Sequence, residues 1–402
     1  IFKILNICLL MNIIRNTKLE FNYRLSKLYN CNVFLKREDT QIVRSFKIRG
    51  AYNKIKKINS KNIVCASAGN HAQGVAYVSN KLDLNCDIFI PNNTPLQKIN
   101  KIKYFGNENC IIHKYGNNFN SCLNKAEEFC YNNNKTFIHP YNDLDVIEGQ
   151  GTIMDEIYEK VNPDIIMSCI GGGGLASGLI MNSLKNKRKN LIYGVEPEGC
   201  ATMKKSIENN KIIKLDTYDN FVDGANVSEV GDITFNICNN NIKDIFSVSH
   251  GEICEEILNF YNNEGIVLEP AGVLGVCGLK YIPELYGKTV VCILSGGNND
   301  LTRYPEITEK YLLYKNLRHY FLIEFNQKPG ELKKFVKDIL DKDDDIIRFE
   351  YIKKANKIID TALVGLEFSD KNKINKFIYN LEKLQFNFKK IDNKDILYSL
   401  LI

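Results

Sequence analysis

A lysine amine works as a base or nucleophile near neutral pH only when burial or nearby positive charge brings its pKa down from about 10.4. Lys47 stands where that can happen. It lies in KREDTQIVRSFKIRG (residues 36–50), after Ser45 and Phe46 and before the helical pattern AYNKIKKI, at a loop-to-helix junction. Arg44, Arg49 and the helix N-terminus are expected to supply the field that depresses it. An S-F-K triplet alone far more often marks a solvated surface lysine, so the case for chemistry rests on three other stretches.

The first is Ser67-Ala68-Gly69-Asn70-His71-Ala72-Gln73-Gly74, where the apolar NIVCA stops and the helical HAQGVAYVSN begins. Backbone N–H groups at such a turn can hold a carboxylate, and Asn70 adds a side chain that both donates and accepts. The second is Gly171-Gly172-Gly173-Gly174-Leu175, between PDIIMSCI and LASGLIMNSL. Four glycines strip the junction of side chains and let successive amides curl round an anion such as phosphate. No GxGxxG with a later acidic residue and no Walker lysine accompanies them, which argues against dinucleotides and nucleoside triphosphates. The third is Ser295-Gly296-Gly297-Asn298-Asn299-Asp300, after TVVCIL, where a hydroxyl can reach a ligand ring over a sheet edge. Taken singly, the first and third are ordinary turns, whereas a glycine run bounded on both sides by core-like apolar segments argues against a flexible linker. VEPEG (195–199) and LEPAG (268–272) are further strand-end or turn signals, expected to wall a cleft.

The elements that must hold these residues follow from periodicity. From Asn32 onward, short apolar runs (NVFLKRE, NIVCAS, CDIFIP, CIIHKY) alternate with helical patterns, the signature of βαβ units and a mostly parallel sheet. A chain of 402 residues implies two or three domains, and 44% hydrophobic with 25% charged residues is an ordinary globular composition. The net charge of +6 is scattered rather than gathered on one helix, so no nucleic-acid face is expected. Thirteen cysteines without a CxxC exclude a zinc ribbon and suggest a reducing compartment. The opening IFKILNICLLMNII is too short to span a bilayer and reads as a leading helix or a trimmed end; no later stretch reaches transmembrane length.

In this order and spacing the four motifs, with HPYNDLDVIEGQGT (139–152) and FVDGANV (221–227), resemble the fold-type II pyridoxal-phosphate enzymes, and among them the threonine dehydratases. The resemblance implies two open twisted α/β subdomains in residues 1–312, the smaller nested at about 45–142. It also implies a lyase that deaminates L-threonine to 2-oxobutanoate and ammonia in isoleucine biosynthesis. Carried over, Lys47 would be the Schiff-base lysine and the base for the α-proton, Phe46 would pack beside the cofactor, and Asn70 would contact its 3′-oxygen. Gly171, Gly172, Gly173, Gly174 and Leu175 would cradle the phosphate, and Ser295 would face the pyridine nitrogen. Ser67, Ala68, Gly69, Asn70 and His71 would hold the substrate carboxylate. A neutral serine does not enforce a protonated ring as a carboxylate would, which favours prompt loss of the β-hydroxyl. Two other readings stay open: a broader serine/threonine dehydratase of catabolic use, and a catalytically impaired amino-acid-binding relative.

Four departures bear on this. Ala68 replaces the second serine that serves racemisation in related serine racemases. Glu196 keeps one position of their cation-binding carboxylate pair while Thr202 takes the other, so no obligatory metal is expected. Lys18 stands in place of an early proline, which questions the entry to the first strand, and Glu148 replaces a small residue expected near the cofactor. Beyond Tyr314, the runs HYFLIEF, GELKKFVKDIL, IIRFEYIKK, TALVGLEF, KINKFIYNLEKL and FNFKKI read as β-α-β-β-α-β, a ferredoxin-like α+β unit. Residues 315–402 resemble the single ACT-like regulatory domain of short biosynthetic threonine dehydratases. By that resemblance a branched-chain amino acid would bind near Gln327, Lys328, Pro329 and Gly330, in a cytoplasmic homo-oligomer (tetramer or dimer).

Overall fold

A computed structural model describes residues 13–352, 358–392 and 395–398. The expected leading helix lies, except for Ile13 and Ile14, outside them. The chain divides into two compact units between Asp300 and Leu301. The helix Tyr304–Tyr314 therefore falls in the second unit, whereas the sequence reading kept residues up to 312 with the first.

The strands of the first unit are β1 (Leu19–Phe21), β2 (Asn32–Arg37), β3 (Asn62–Ala66), β4 (Asn85–Ile90), β5 (Cys110–Lys114), β6 (Thr136–Phe137), β7 (Ile165–Cys169), β8 (Leu191–Pro197), β9 (Asp244–Val248) and β10 (Thr289–Leu294). They make two sheets, ordered β1-β2-β10-β7-β8-β9 and β5-β4-β3-β6. Every pairing is parallel except that of β1 with β2. All of β7 and nearly all of β10 are buried, as strands covered on both faces must be, which is why they read as unbroken apolar runs.

In the smaller sheet, period-two alternation sorts β3 between two cores. Ile63 and Cys65 pack with Ile48, Ala51 and Ile55 of the helix Lys47–Ile55, while Val64 and Ala66 pack with Cys122 and Ala126 of the helix Phe119–Asn132. In the larger sheet the chain runs outward from β7 through β8 to β9, then returns to place β10 on the other side of β7. That reversal opens a crevice at the carboxyl ends of β7 and β10, the usual ligand position of open α/β sheets.

Glycines let the helices that carry the motifs approach closely. A Cβ at Gly149 would lie 2.6 Å from the Arg49 carbonyl oxygen, and one at Gly151 would lie 2.5 Å from that of Gly178. The helix Leu144–Tyr158 thus lies against both the Lys47 helix and the helix Gly174–Lys185. A buried ionic cluster fastens the same region. Arg49, only 1% exposed, donates to Glu38 (2.7 Å) and Glu156 (2.6 Å); Lys36, fully buried, also pairs with Glu156 and donates to the Thr17 carbonyl oxygen (2.7 Å).

The second unit holds β11 (Arg318–Asn326), β12 (Asp345–Glu350), β13 (Ile359–Glu367) and β14 (Phe388–Ile391) in the order β12-β13-β11-β14, all antiparallel. With the helices Glu331–Asp338 and Lys373–Lys383 between strands, this is the ferredoxin-like arrangement expected from the sequence. Its core is aromatic, built on Phe321, Phe325, Phe335, Phe368, Phe377 and Phe386. Among the described residues no helix is long and apolar enough to cross a membrane.

Candidate active site

The crevice gathers the four motifs. Lys47 is the first residue of its helix, and the loop before it is stitched to the turn after β10: Phe46 N–H donates to Ser295 O (3.1 Å) and Gly297 N–H to Arg44 O (2.9 Å). The turn after β3 reaches the same place because Gly74, on the helix Asn70–Leu82, lets that helix touch the start of the Lys47 helix; a Cβ there would lie 3.2 Å from Ile48 N.

Lys47 is partly buried and its Nζ donates to the Pro140 carbonyl oxygen at 2.9 Å, 5.3 Å from the centre of the buried Phe46 ring. Burial lowers its pKa to about 8, against an opposing pull from Cys169 and Glu269. The arginines are not the cause. Arg49 is neutralised by Glu38 and Glu156, and Arg44 is exposed and donates to Val267 O (3.4 Å), so the expected cationic field is replaced by desolvation.

At the tetraglycine turn, packing demands glycine at each position. A Cβ at Gly172 would lie 2.4 Å from the Tyr141 ring and one at Gly174 would lie 2.9 Å from Tyr141 Cβ. At Gly171 it would lie 2.8 Å from Ala225 Cα, and Gly173 holds φ +88°. Thr234 Oγ1 donates to Gly172 O (2.7 Å) and fixes the turn from outside. Gly173 caps the helix Gly174–Lys185 with no side-chain hydrogen bond, and the amides of a first helical turn lack intrahelical partners, so the turn presents N–H donors to an anion.

The turn of residues 67–71 is different. A Cβ at Gly69 would meet nothing within 4 Å, so the loop faces open space. Asn70 opens its helix, with its Nδ2 donating to Glu269 Oε1 (2.7 Å) and its Oδ1 accepting from Asn298 Nδ2 (2.7 Å). The His71 side chain is buried: its Nε2 bonds Ile138 O (2.8 Å), its Nδ1 has no hydrogen-bond partner among the described residues, and burial, with Lys47 adding, lowers its pKa to about 3. Ser295, 1% exposed at the end of β10, donates its hydroxyl to Ala271 O (3.1 Å).

LEPAG does wall the crevice, and it contributes a residue that the sequence reading did not single out. Glu269 is 6% exposed, and burial, with Asp223 adding, raises its pKa to about 7. Gly272 allows this approach, since a Cβ there would lie 2.1 Å from Gly296 O. VEPEG is tied instead to the helix Thr202–Glu208. Glu196, fully buried, accepts from the amides of Met203 and Lys204 (both 2.8 Å), and Thr202 Oγ1 donates to Val227 O (2.7 Å).

Two departures lie outside the site. Glu148 pairs with Lys57 on a half-exposed face and accepts from Asn53 (3.3 Å), so it neither tunes nor blocks the crevice. Lys18 is solvent-exposed, and its carbonyl oxygen accepts from Arg37 N–H (3.0 Å), so the entry to β1 is intact.

Side-chain-free backbone amides, an amine of lowered pKa and a hydroxyl at the neighbouring strand end, on an open α/β fold, fit pyridoxal phosphate. The chain belongs to the family described as pyridoxal-phosphate dependent enzymes, which matches residues 10–296. The C-terminal regulatory domain of threonine dehydratase matches residues 309–401, and within the wider family the chain is a member of the threonine dehydratases. It is 44% identical over 404 residues to the biosynthetic L-threonine dehydratase IlvA of Staphylococcus aureus (strain N315), covering 98% of this chain and 96% of that one. The same identity holds over 402 residues with the IlvA of Halalkalibacterium halodurans, again covering 98% and 96%. The processed form of threonine deaminase isoform 2 from Solanum lycopersicum is similar with a TM-score of 0.71 and 32% identity, over 77% of this chain and 92% of that one.

Proposed function

We propose that the protein deaminates L-threonine to 2-oxobutanoate and ammonia by α,β-elimination of water, with pyridoxal 5′-phosphate as cofactor, in isoleucine biosynthesis. The observation that carries the reading is the meeting of Lys47, the tetraglycine turn, Asn70 and Ser295 at one crevice. Bound there, the cofactor supplies an electron sink for the substrate's Cα.

The chain supplies the rest. The amides of Gly171, Gly172, Gly173, Gly174 and Leu175 would hold the phosphate, and Ser295 would set a neutral hydroxyl toward the ring nitrogen. Phe46 would cover one side of the cofactor, and Asn70 would offer its remaining amide hydrogen to the 3′-oxygen. Amides of the turn at Ser67, Ala68, Gly69, Asn70 and His71 orient the substrate carboxylate, with the space beside Gly69 left for it. Lys47 takes the Cα proton: with a pKa of about 8, roughly one amine in ten is neutral at pH 7, against about one in three thousand for a solvated lysine. The leaving hydroxyl takes its proton from the same amine, which the Cα proton has just charged, and departs as water.

The catalytic part lies in the unit that ends at Asp300 and the regulatory part in the unit that begins at Leu301. A branched-chain amino acid binds near Gln327, Lys328, Pro329 and Gly330, where Gln327 pairs with the buried Asp360 and a Cβ at Gly330 would meet nothing within 4 Å. The enzyme works in the cytoplasm as a homo-oligomer. Oxo-acid release from L-threonine and L-serine, repeated with isoleucine and with valine, tests this: threonine preference with an isoleucine response is expected. Equal use of both substrates without an effector response would overturn the biosynthetic reading.

A further inference from the structure

We propose that Glu269 is a positioning residue that fixes the Asn70 amide, through a relay Lys101–Asn298–Asn70–Glu269, so that Asn70 can offer the cofactor only an N–H donor. The inference rests on the reading of Asn70 as the contact to the cofactor's 3′-oxygen.

The hydrogen bonds determine each amide in turn. Lys101 can only donate, so its contact at 3.2 Å identifies Asn298 Oδ1 as an acceptor. The Asn298 NH2 group then spends its two hydrogens on Val43 O (2.8 Å) and Asn70 Oδ1 (2.7 Å). Asn70 is left with its nitrogen toward Glu269 Oε1 (2.7 Å) and one hydrogen unspent. A flipped Asn70 would set its NH2 against that of Asn298 and, with Glu269 ionised, its oxygen against a carboxylate, losing both bonds.

Glu269 is a rigid end to the relay. Its backbone N–H donates to Gly296 O (3.2 Å), and a Cβ at Gly296 would lie 2.2 Å from its Oε1, so the turn after β10 has glycine where this carboxyl packs against it. The relay also crosses the crevice repeatedly. Lys101, on the helix Leu96–Gly106, and Asn70 come from the smaller subdomain, whereas Asn298 and Glu269 come from the larger one. Beside it Lys98 of the same helix pairs with Asp223 across the gap. The orientation of Asn70 therefore depends on the two subdomains being held in this arrangement.

The test is a double-mutant cycle on purified holoenzyme with Glu269→Ala, Asn70→Ala and the pair, reading cofactor dissociation constant and the absorbance maximum of bound cofactor. Glu269→Ala is expected to weaken cofactor binding about tenfold, the scale of one hydrogen bond to a charged group, and to move the absorbance maximum. In the Asn70→Ala background it should do neither. Glu269→Gln, which keeps both the volume and an acceptor oxygen, should restore both readouts, whereas Glu269→Met, which keeps the volume without the acceptor, should not; a loss of packing alone would be rescued by both. Effects of Glu269→Ala that persist unchanged without Asn70, or wild-type readouts for Glu269→Ala beside altered ones for Asn70→Ala, would overturn the relay alone. Wild-type readouts for Asn70→Ala would overturn the reading of Asn70 and the relay with it.

Discussion

The two glycine-bearing turns of the crevice use glycine for opposite reasons. At residues 171–174 every missing side chain is a space already taken, by Ala225, Tyr141, Met203 or Thr234. At Gly69 the missing side chain is empty space within reach of Asn70. One turn is glycine because packing leaves no room for a side chain, and at the other the space is left open. Sequence alone gives both the same appearance, a glycine between a strand and a helix.

Substitution separates them. Gly173→Ala combines a left-handed residue, costing about 1–2 kcal/mol, with overpacking of about 1–3 kcal/mol against Met203 and Thr234. The expected result is a fall in the denaturation midpoint of the apoprotein, measured without cofactor; an unchanged midpoint would erase the contrast. Lys47 lies between the two turns, and its lowered pKa gives the next largest effect. Neutral amine rises about tenfold between pH 7 and pH 9 for a pKa of about 8, so the rate of cofactor attachment to the apoprotein should climb through that range and level off. A rate still rising steeply at pH 10 would mean a solvated lysine.

Gly69→Ala is the counterpart of the Gly173 change. Its stability should stay within about 0.5 kcal/mol of wild type, while KM for threonine rises several-fold with cofactor affinity unchanged. Loss of stability there would show that this turn too is packed. The smallest effect is expected from Glu148→Ala, which should leave kcat and KM at wild-type values because that side chain faces Lys57 rather than the crevice.

What the sequence conveyed follows the same division. The motifs were legible because lysine, asparagine, serine and glycine are placed at strand ends for reasons local to each turn, and strand and helix periodicities located those ends. Partnerships between distant segments were not legible. The cluster of Arg49, Glu38, Lys36 and Glu156 joins residues over a hundred positions apart, so Arg49 looked like a source of field for Lys47 rather than a neutralised anchor. Glu269 looked like part of a turn for the same reason, since its partner Asn70 lies 199 residues away. Glu148 misled in the other direction: a motif position suggested the site, but its helix face turns it outward.

The most direct measurement is oxo-acid and ammonia release from L-threonine by the cofactor-loaded protein beside its Lys47→Ala variant. The account predicts equal amounts of 2-oxobutanoate and ammonia from the native protein, and a loss of about a thousandfold or more in the variant, which should also fail to hold cofactor covalently. Full turnover by the variant, or no product from the loaded native protein, would contradict it.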